Sequence, residues 1–162
     1  MLCFVSDDYC FTGWEIKNYG VVDINFIWHT IAPTMNVTCH GTVTEWKYLV
    51  RTAGPFKALI ERPVAGSDTE FSIVGINEIQ PDATNQQIVF PVPLGDRIAV
   101  RTGDVLGWGY ADPGPLIWTL DGILSASVRR IPAAGYSVGQ VSNFIDEEGF
   151  REYSIEATIV CD

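Results

Sequence analysis

Imidazole is the side chain whose charge changes nearest neutral pH, which makes histidine the usual general base. Two occur, His29 and His40, and neither has a serine or thiol in a known nucleophile setting; no Gly-x-Ser-x-Gly is present. His29 falls inside a long apolar run and His40 follows Cys39, so both read as strand-surface or loop residues. Paired carboxylates stand at Asp7-Asp8 and Asp146-Glu147-Glu148. Two carboxylates at the right separation hydrolyse glycosides, but neighbours in a strand or turn diverge toward water, and no EF-hand spacing supports a metal. Phosphate cradles are missing: there is no Walker pattern and no Gly-x-Gly-x-x-Gly, and Gly107-Trp108-Gly109 sets a bulky ring between its glycines. The expectation is a non-enzymatic chain with no catalytic residue, no metal and no cofactor.

Cysteine offers a second chemistry. Cys3, Cys10, Cys39 and Cys161 make an even count without a Cys-x-x-Cys pair, and two histidines add little toward a zinc set. Four cysteines allow three pairings. The expected one joins Cys3 to Cys10 in a short loop and Cys39 to Cys161 across the domain, and such bridges persist in oxidising compartments. Asn36-Val37-Thr38 is an N-glycosylation sequon directly ahead of Cys39, so an N-linked glycan at Asn36 is an expected partner. Asp and Glu number 20 against 10 Lys and Arg, and the net charge of −10 repels phosphate backbones and anionic membranes. Nucleic acid is excluded on that ground, and no apolar run is long enough for a membrane span. Met1-Leu2-Cys3-Phe4-Val5 lacks the features of a secretory leader, so the sequence is read as a mature, extracellular chain.

Aromatic rings offer a third. Trp108, Tyr110 and Trp118 flank the turn at Asp112-Pro113-Gly114-Pro115 and form the candidate platform for a sugar ring, against the alternative that they pack in the interior.

The elements that must position these residues read as strands. Period-two alternation dominates, with frequent turn signals. Trp46, Tyr48 and Val50 form the inward set of one strand; Phe56, Ala58 and Ile60 that of the next, closed by Pro63. Phe71, Ile73 and Gly75 precede Ile76 and Ile79, and the glycine marks a bulge that re-aims the second half of that strand. Further strands are expected at 88–90, 97–100, 105–110, 116–120, 123–128 and 153–161, the last placing Tyr153, Ile155, Ala157, Ile159 and Cys161 on one face. The fold class is all-β, a two-sheet antiparallel sandwich of jelly-roll type over residues 39–162. Residues 1–38 form an N-terminal extension with a long hydrophobic strand near 21–31. Val22, Ile24, Phe26 and Trp28 line one of its faces and are the candidate subunit interface.

At Gly41-Thr42-Val43-Thr44-Glu45-Trp46, Gly54-Pro55-Phe56 with Arg62-Pro63, Phe71 to Asn77, Asp96 to Val100 with Gly103 to Trp108, and Arg151 to Ile155, residues 39–161 resemble a module of uncharacterised secreted invertebrate proteins. The resemblance implies a disulfide-tied extracellular β-sandwich and transfers no catalytic residue. The first 38 residues lie outside it.

The expected function follows from that extension. A strand donated head to tail makes a contact that does not close, so the chain is expected to self-associate, as filaments, by lending residues 21–31 to a neighbour. Removing residues 1–33 is expected to leave the remainder folded. The alternative is a lectin-like module for extracellular glycans, which the fold class hosts without implying it.

Overall fold

Alternating apolar and polar side chains can be used only by a sheet with one face covered. In the computed structural model, which describes residues 8–18, 20–22, 26–30, 35–110, 114–119, 128–132, 136–146 and 151–162, that pattern becomes fifteen strands. They are β1 (Tyr9–Gly13), β2 (Val21–Val22), β3 (Phe26–Thr30), β4 (Gly41–Leu49) and β5 (Phe56–Pro63), then β6 (Glu70–Ile79), β7 (Gln87–Pro91), β8 (Ile98–Val100), β9 (Val105–Gly109) and β10 (Ile117–Thr119). β11 (Val128–Pro132), β12 (Val141–Asn143), β13 (Ile145–Asp146), β14 (Glu152–Tyr153) and β15 (Ile155–Cys161) complete the set. A five-stranded sheet runs β1-β15-β4-β7 with β8 also on β4, and a seven-stranded sheet runs β12-β6-β5-β9-β3-β11-β13. All pairs are antiparallel. The all-β sandwich is therefore as expected, with one addition: a three-stranded sheet, β14-β10-β2.

The core lies between the two large sheets. Trp46, Tyr48, Ile155 and Ala157 come from one, and Phe56, Ile60, Leu106 and Trp108 from the other. Of the expected inward set, Trp46 and Tyr48 on β4 and Val50 just past its end are buried, while Glu45 and Lys47 stay partly exposed.

β6 carries the bulge expected at Gly75. Its register with β5 slips by one between Ile60 and Glu61, which leaves Val74 with no opposite number. The consequence shows in the packing. Phe71 and Ile79 are eight residues apart and would share a face in an unbroken strand. Instead Ile79 joins the main core, whereas Phe71 packs with Leu59, Val105 and Phe144 in a second, smaller cluster on the other face of the sheet. Gly75 must stay small, because a Cβ there would meet the Ile98 side chain at 2.5 Å.

Described residues ahead of Cys39 are built into the same core. β1 pairs along its whole length with β15, from Tyr9 opposite Val160 to Gly13 opposite Glu156. Gly13 closes this strand at φ +118°, with the Ile155 carbonyl where a Cβ would stand. Cys10, Trp14, Met35 and Val37 are buried with Trp46 and Ile155. The expected division at residue 38 thus has no counterpart in the packing, and a chain without residues 1–33 would lack Cys10 and Trp14. β3 lies between β9 and β11 of its own chain, with Trp28 opposite Trp108 and Thr30 opposite Val128.

A single strand was expected over 153–161; the structure breaks it at Ser154. Its N–H donates to the Ile117 carbonyl, its carbonyl accepts from Leu49, and its hydroxyl donates to the Lys17 carbonyl. These bonds tie Ser154 to the small sheet, to β4 and to the N-terminal segment at once, so β14 and β15 join different sheets. Expected strand 123–128 lies outside the described residues except for Val128, where β11 begins.

Asp104 fixes one end of the sandwich. It is 1% exposed and holds Arg62 by two bonds, Nε to Oδ1 at 2.7 Å and Nη2 to Oδ2 at 2.8 Å. Oδ2 also accepts the Arg101 N–H at 2.9 Å, and the Asp104 carbonyl accepts from Val37 at 2.8 Å. The carboxylate is buried while the Arg62 side chain is 28% exposed, so removing Asp104 loses the charge-assisted bonds without stranding a fully buried guanidinium. Asp104→Ala should therefore cost about 2 kcal/mol in urea denaturation, with a cost below 1 kcal/mol, the range of an exposed ion pair, contradicting this role.

Candidate functional site

Sulfur chemistry is concentrated at one place. Cys39 and Cys161 form the expected disulfide, spanning 122 residues, at the end of the β4–β15 ladder where Cys161 lies opposite Gly41. Alternation brings Cys161 there, as the last odd-numbered position of β15. Cys10 on β1 is fully buried beside the bridge, its Sγ 3.3 Å from that of Cys39. Cys3 lies outside the described residues, and with it the Cys3–Cys10 pairing. Asn36 of the sequon is half-buried next to the buried Val37, and Thr38 is exposed.

The aromatic platform is overturned. Trp108, Tyr110 and Trp118 are 0%, 2% and 7% exposed, and all three belong to the main core. Inward alternation on β9 and β10 turns the rings to the interior, where Tyr153 gathers them: its ring centroid lies 4.5 Å from Trp108 and 6.0 Å from Trp118. Trp14 meets Trp108 edge to face at 5.6 Å. The buried indole N–H groups of Trp14, Trp108 and Trp118 have no acceptor among the described residues. Arg151 covers the cluster, its guanidinium carbon 4.1 Å from the Trp118 ring centroid.

Among the described residues, the candidate chemical groups lie on separate elements. His40 is exposed and its carbonyl accepts the Asp162 N–H; Asp8 is exposed and its carbonyl accepts from Cys161. Asp146 is exposed on β13, and Asp7, Glu147 and Glu148 lie outside the described residues. His29 lies within β3, opposite Gly107 and Arg129. Of the candidate interface residues, Val22 is half-buried opposite Ile117, Phe26 and Trp28 lie in β3, and Ile24 lies outside the described residues. Among the described residues no helix is long and apolar enough to cross a membrane.

What the sequence reading missed is a cleft of about 590 Å³ at the open edge of the sandwich. One wall is the second half of β6, from Val74 to Glu78; the other is Phe90, the 3-10 turn Leu94–Asp96 with its flanks, and Ile98–Ala99 of β8. The two walls are held by Asn77. It occupies an inward position where Gly75 and Ile79 are its alternates, and its burial would be costly if unpaired. Its carboxamide accepts from Trp46 Nε1 at 2.7 Å and donates to the Asp96 carbonyl at 2.8 Å, joining both sheets to the turn. A lone asparagine in an inward position was the signal available. Glu78, Asp96 and Arg97 supply the charge of the cleft.

On the outer face of β5 and β6, Lys57 pairs with Glu78 at 3.0 Å and lies 5.0 Å above the Tyr136 ring. Burial, reinforced by the Glu78 and Glu61 carboxylates, pushes the Tyr136 phenol up to about 12; burial, with Asp82, does the same for Tyr48. Both groups hold their protons more tightly folded than unfolded, so their contribution to stability is complete below pH about 10 and lost as pH rises toward 12. Phenolate absorbance should show Tyr48 and Tyr136 titrating near 12 in the native protein and near 10 in denaturant; a native titration complete near 10 would contradict this. No family model, curated protein or solved structure matches the chain.

Proposed function

We propose that the protein is an extracellular, non-enzymatic structural protein that self-associates by exchanging its N-terminal strand β3 between copies. The observation that carries this reading is the place of β3 in the seven-stranded sheet. It supplies the ladder to β9 on one side and to β11 on the other, so β11 and β13 reach the rest of the sheet through it. A central strand supplied by a neighbour makes the same main-chain bonds as the chain's own, and register is set by the same pairs. Reciprocal exchange closes a dimer; head-to-tail exchange leaves an open chain of subunits. The Cys39–Cys161 bridge and the sequon at Asn36 support an oxidising, extracellular setting. The lectin-like alternative has lost its ring platform to the core.

Because Trp14 and Cys10 are buried with the main core, truncating the N-terminus tests folding as much as assembly. A cross-link tests exchange directly. Thr30 and Val128 are opposite one another on β3 and β11, so chains carrying Thr30→Cys and chains carrying Val128→Cys, co-expressed with tags of different size, should yield a reducible hybrid of the two. Neither variant alone should give its yield. Only monomers, or homodimers at equal yield, would sink the proposal.

A further inference from the structure

We infer that the open half of β6 is a second interface between copies of this chain, formed by two-fold, edge-to-edge strand pairing. β12 covers β6 only from Glu70 to Ser72, and the turn at 139–140 takes the Ile73 N–H and carbonyl. From Val74 to Ile79 the strand has β5 on one side and, among the described residues, no ladder partner on the other. Such an edge presents a row of main-chain donors and acceptors to any extended strand.

Proteins guard open edges with charge or proline. Here the one charge on the open stretch is Glu78, and Lys57 already neutralises it at 3.0 Å. Beside the edge runs the 590 Å³ cleft. Its rim carries apolar groups held in water: Val138, which lines it, is 61% exposed, and Leu94, between the lining residues Pro93 and Gly95, is 81% exposed. Exposed apolar side chains beside an unpaired edge mark an association surface.

A second copy is the occupant the charges and register fit. Of the three charges in the cleft, Glu78 is paired with Lys57 and Asp96 and Arg97 are one of each sign, so the surface is locally near neutral although the chain carries −10. A two-fold axis through Asn77 sets Gly75 opposite Ile79 and Ile76 opposite Glu78. No like charges then stand directly opposite, each Glu78 of the diagonal pair keeps its own Lys57, and the bulged Val74 stays outside the paired stretch. This interface does not require strand exchange; if both operate, it joins exchanged units side by side.

Sedimentation velocity of the intact, oxidised protein should show a concentration-dependent dimer. Because each copy is strongly negative, raising salt from low to about 0.15 M, where the Debye length is about 8 Å, should strengthen it. Amide hydrogens of residues 75–79 should exchange more slowly as dimer forms. The double variant Leu94→Asp, Val138→Asp changes two exposed side chains and should weaken the dimer at least tenfold while keeping the wild-type melting profile. The Thr30–Val128 hybrid cross-link should persist in that background, which separates failure of this interface from failure of strand exchange. A monomer at every concentration and salt, a variant that dimerises as tightly as wild type, or association without protection at 75–79 would each overturn the inference.

Discussion

The bulge at Val74 is the constraint on which the two faces of the seven-stranded sheet depend. A regular strand gives alternate residues to one side throughout, so β6 could serve one core only. By adding one residue against β5, the chain turns Phe71 toward the outer cluster with Leu59 and Phe144, and Asn77 and Ile79 toward the interior. Asn77 then reaches Trp46 across the sandwich and the Asp96 carbonyl on the turn. Coverage by β12 stops just ahead of this kink, and among the described residues the rest of the strand has no ladder partner on that side. Interior bond and outer cluster are two results of one inserted residue.

Close to the bulge, where Arg62 pairs with Ser72, covalent and ionic ties act together. Asp104 binds Arg62 on β5, the Arg101 N–H in its own loop and the Val37 N–H of the N-terminal segment. Cys39, two residues after Val37, is bonded to the last residue of β15. The segment between β3 and β4 is thereby pinned where the chain passes from one large sheet to the other. Hydrogen-bond geometry at Asp104 is bidentate, which fixes orientation as well as distance.

Much of this was legible in the sequence because alternation is a local signal. Trp46, Tyr48, Phe56 and Ile60 were assigned inward by period alone, and the bulge was readable from a glycine among β-branched neighbours. The Cys39–Cys161 bridge belonged to one of three pairings, chosen because it ties the domain end to end, and the inward phase of β15 was compatible with it. What failed depended on distant partners. Ser154 sits in an apparently continuous strand, and only its bonds to Lys17, Ile117 and Leu49 divide it. The rings of Trp108 and Trp118 are adjacent to a Pro-Gly turn in sequence, yet Tyr153, more than thirty residues on, draws them inside. The cleft was invisible because its walls, β6 and the Leu94–Asp96 turn with β8, meet only when the two sheets close.

The disulfide has a mechanical meaning. Cys39 lies two residues ahead of β4 and Cys161 ends the adjacent strand β15, so the covalent bond short-circuits a sequence separation of 122. Tension applied through the chain on either side of the bridge passes from one sulfur to the other without loading the enclosed sandwich. β1 and β3 lie outside the loop yet inside the sheets, so drawing them out would require β1 to peel from β15 and β3 to leave both β9 and β11. At about 3.4 Å per extended residue, the stretch 9–38 would span on the order of 100 Å once free. The molecule would then behave as a stiff bead on a short extensible tether.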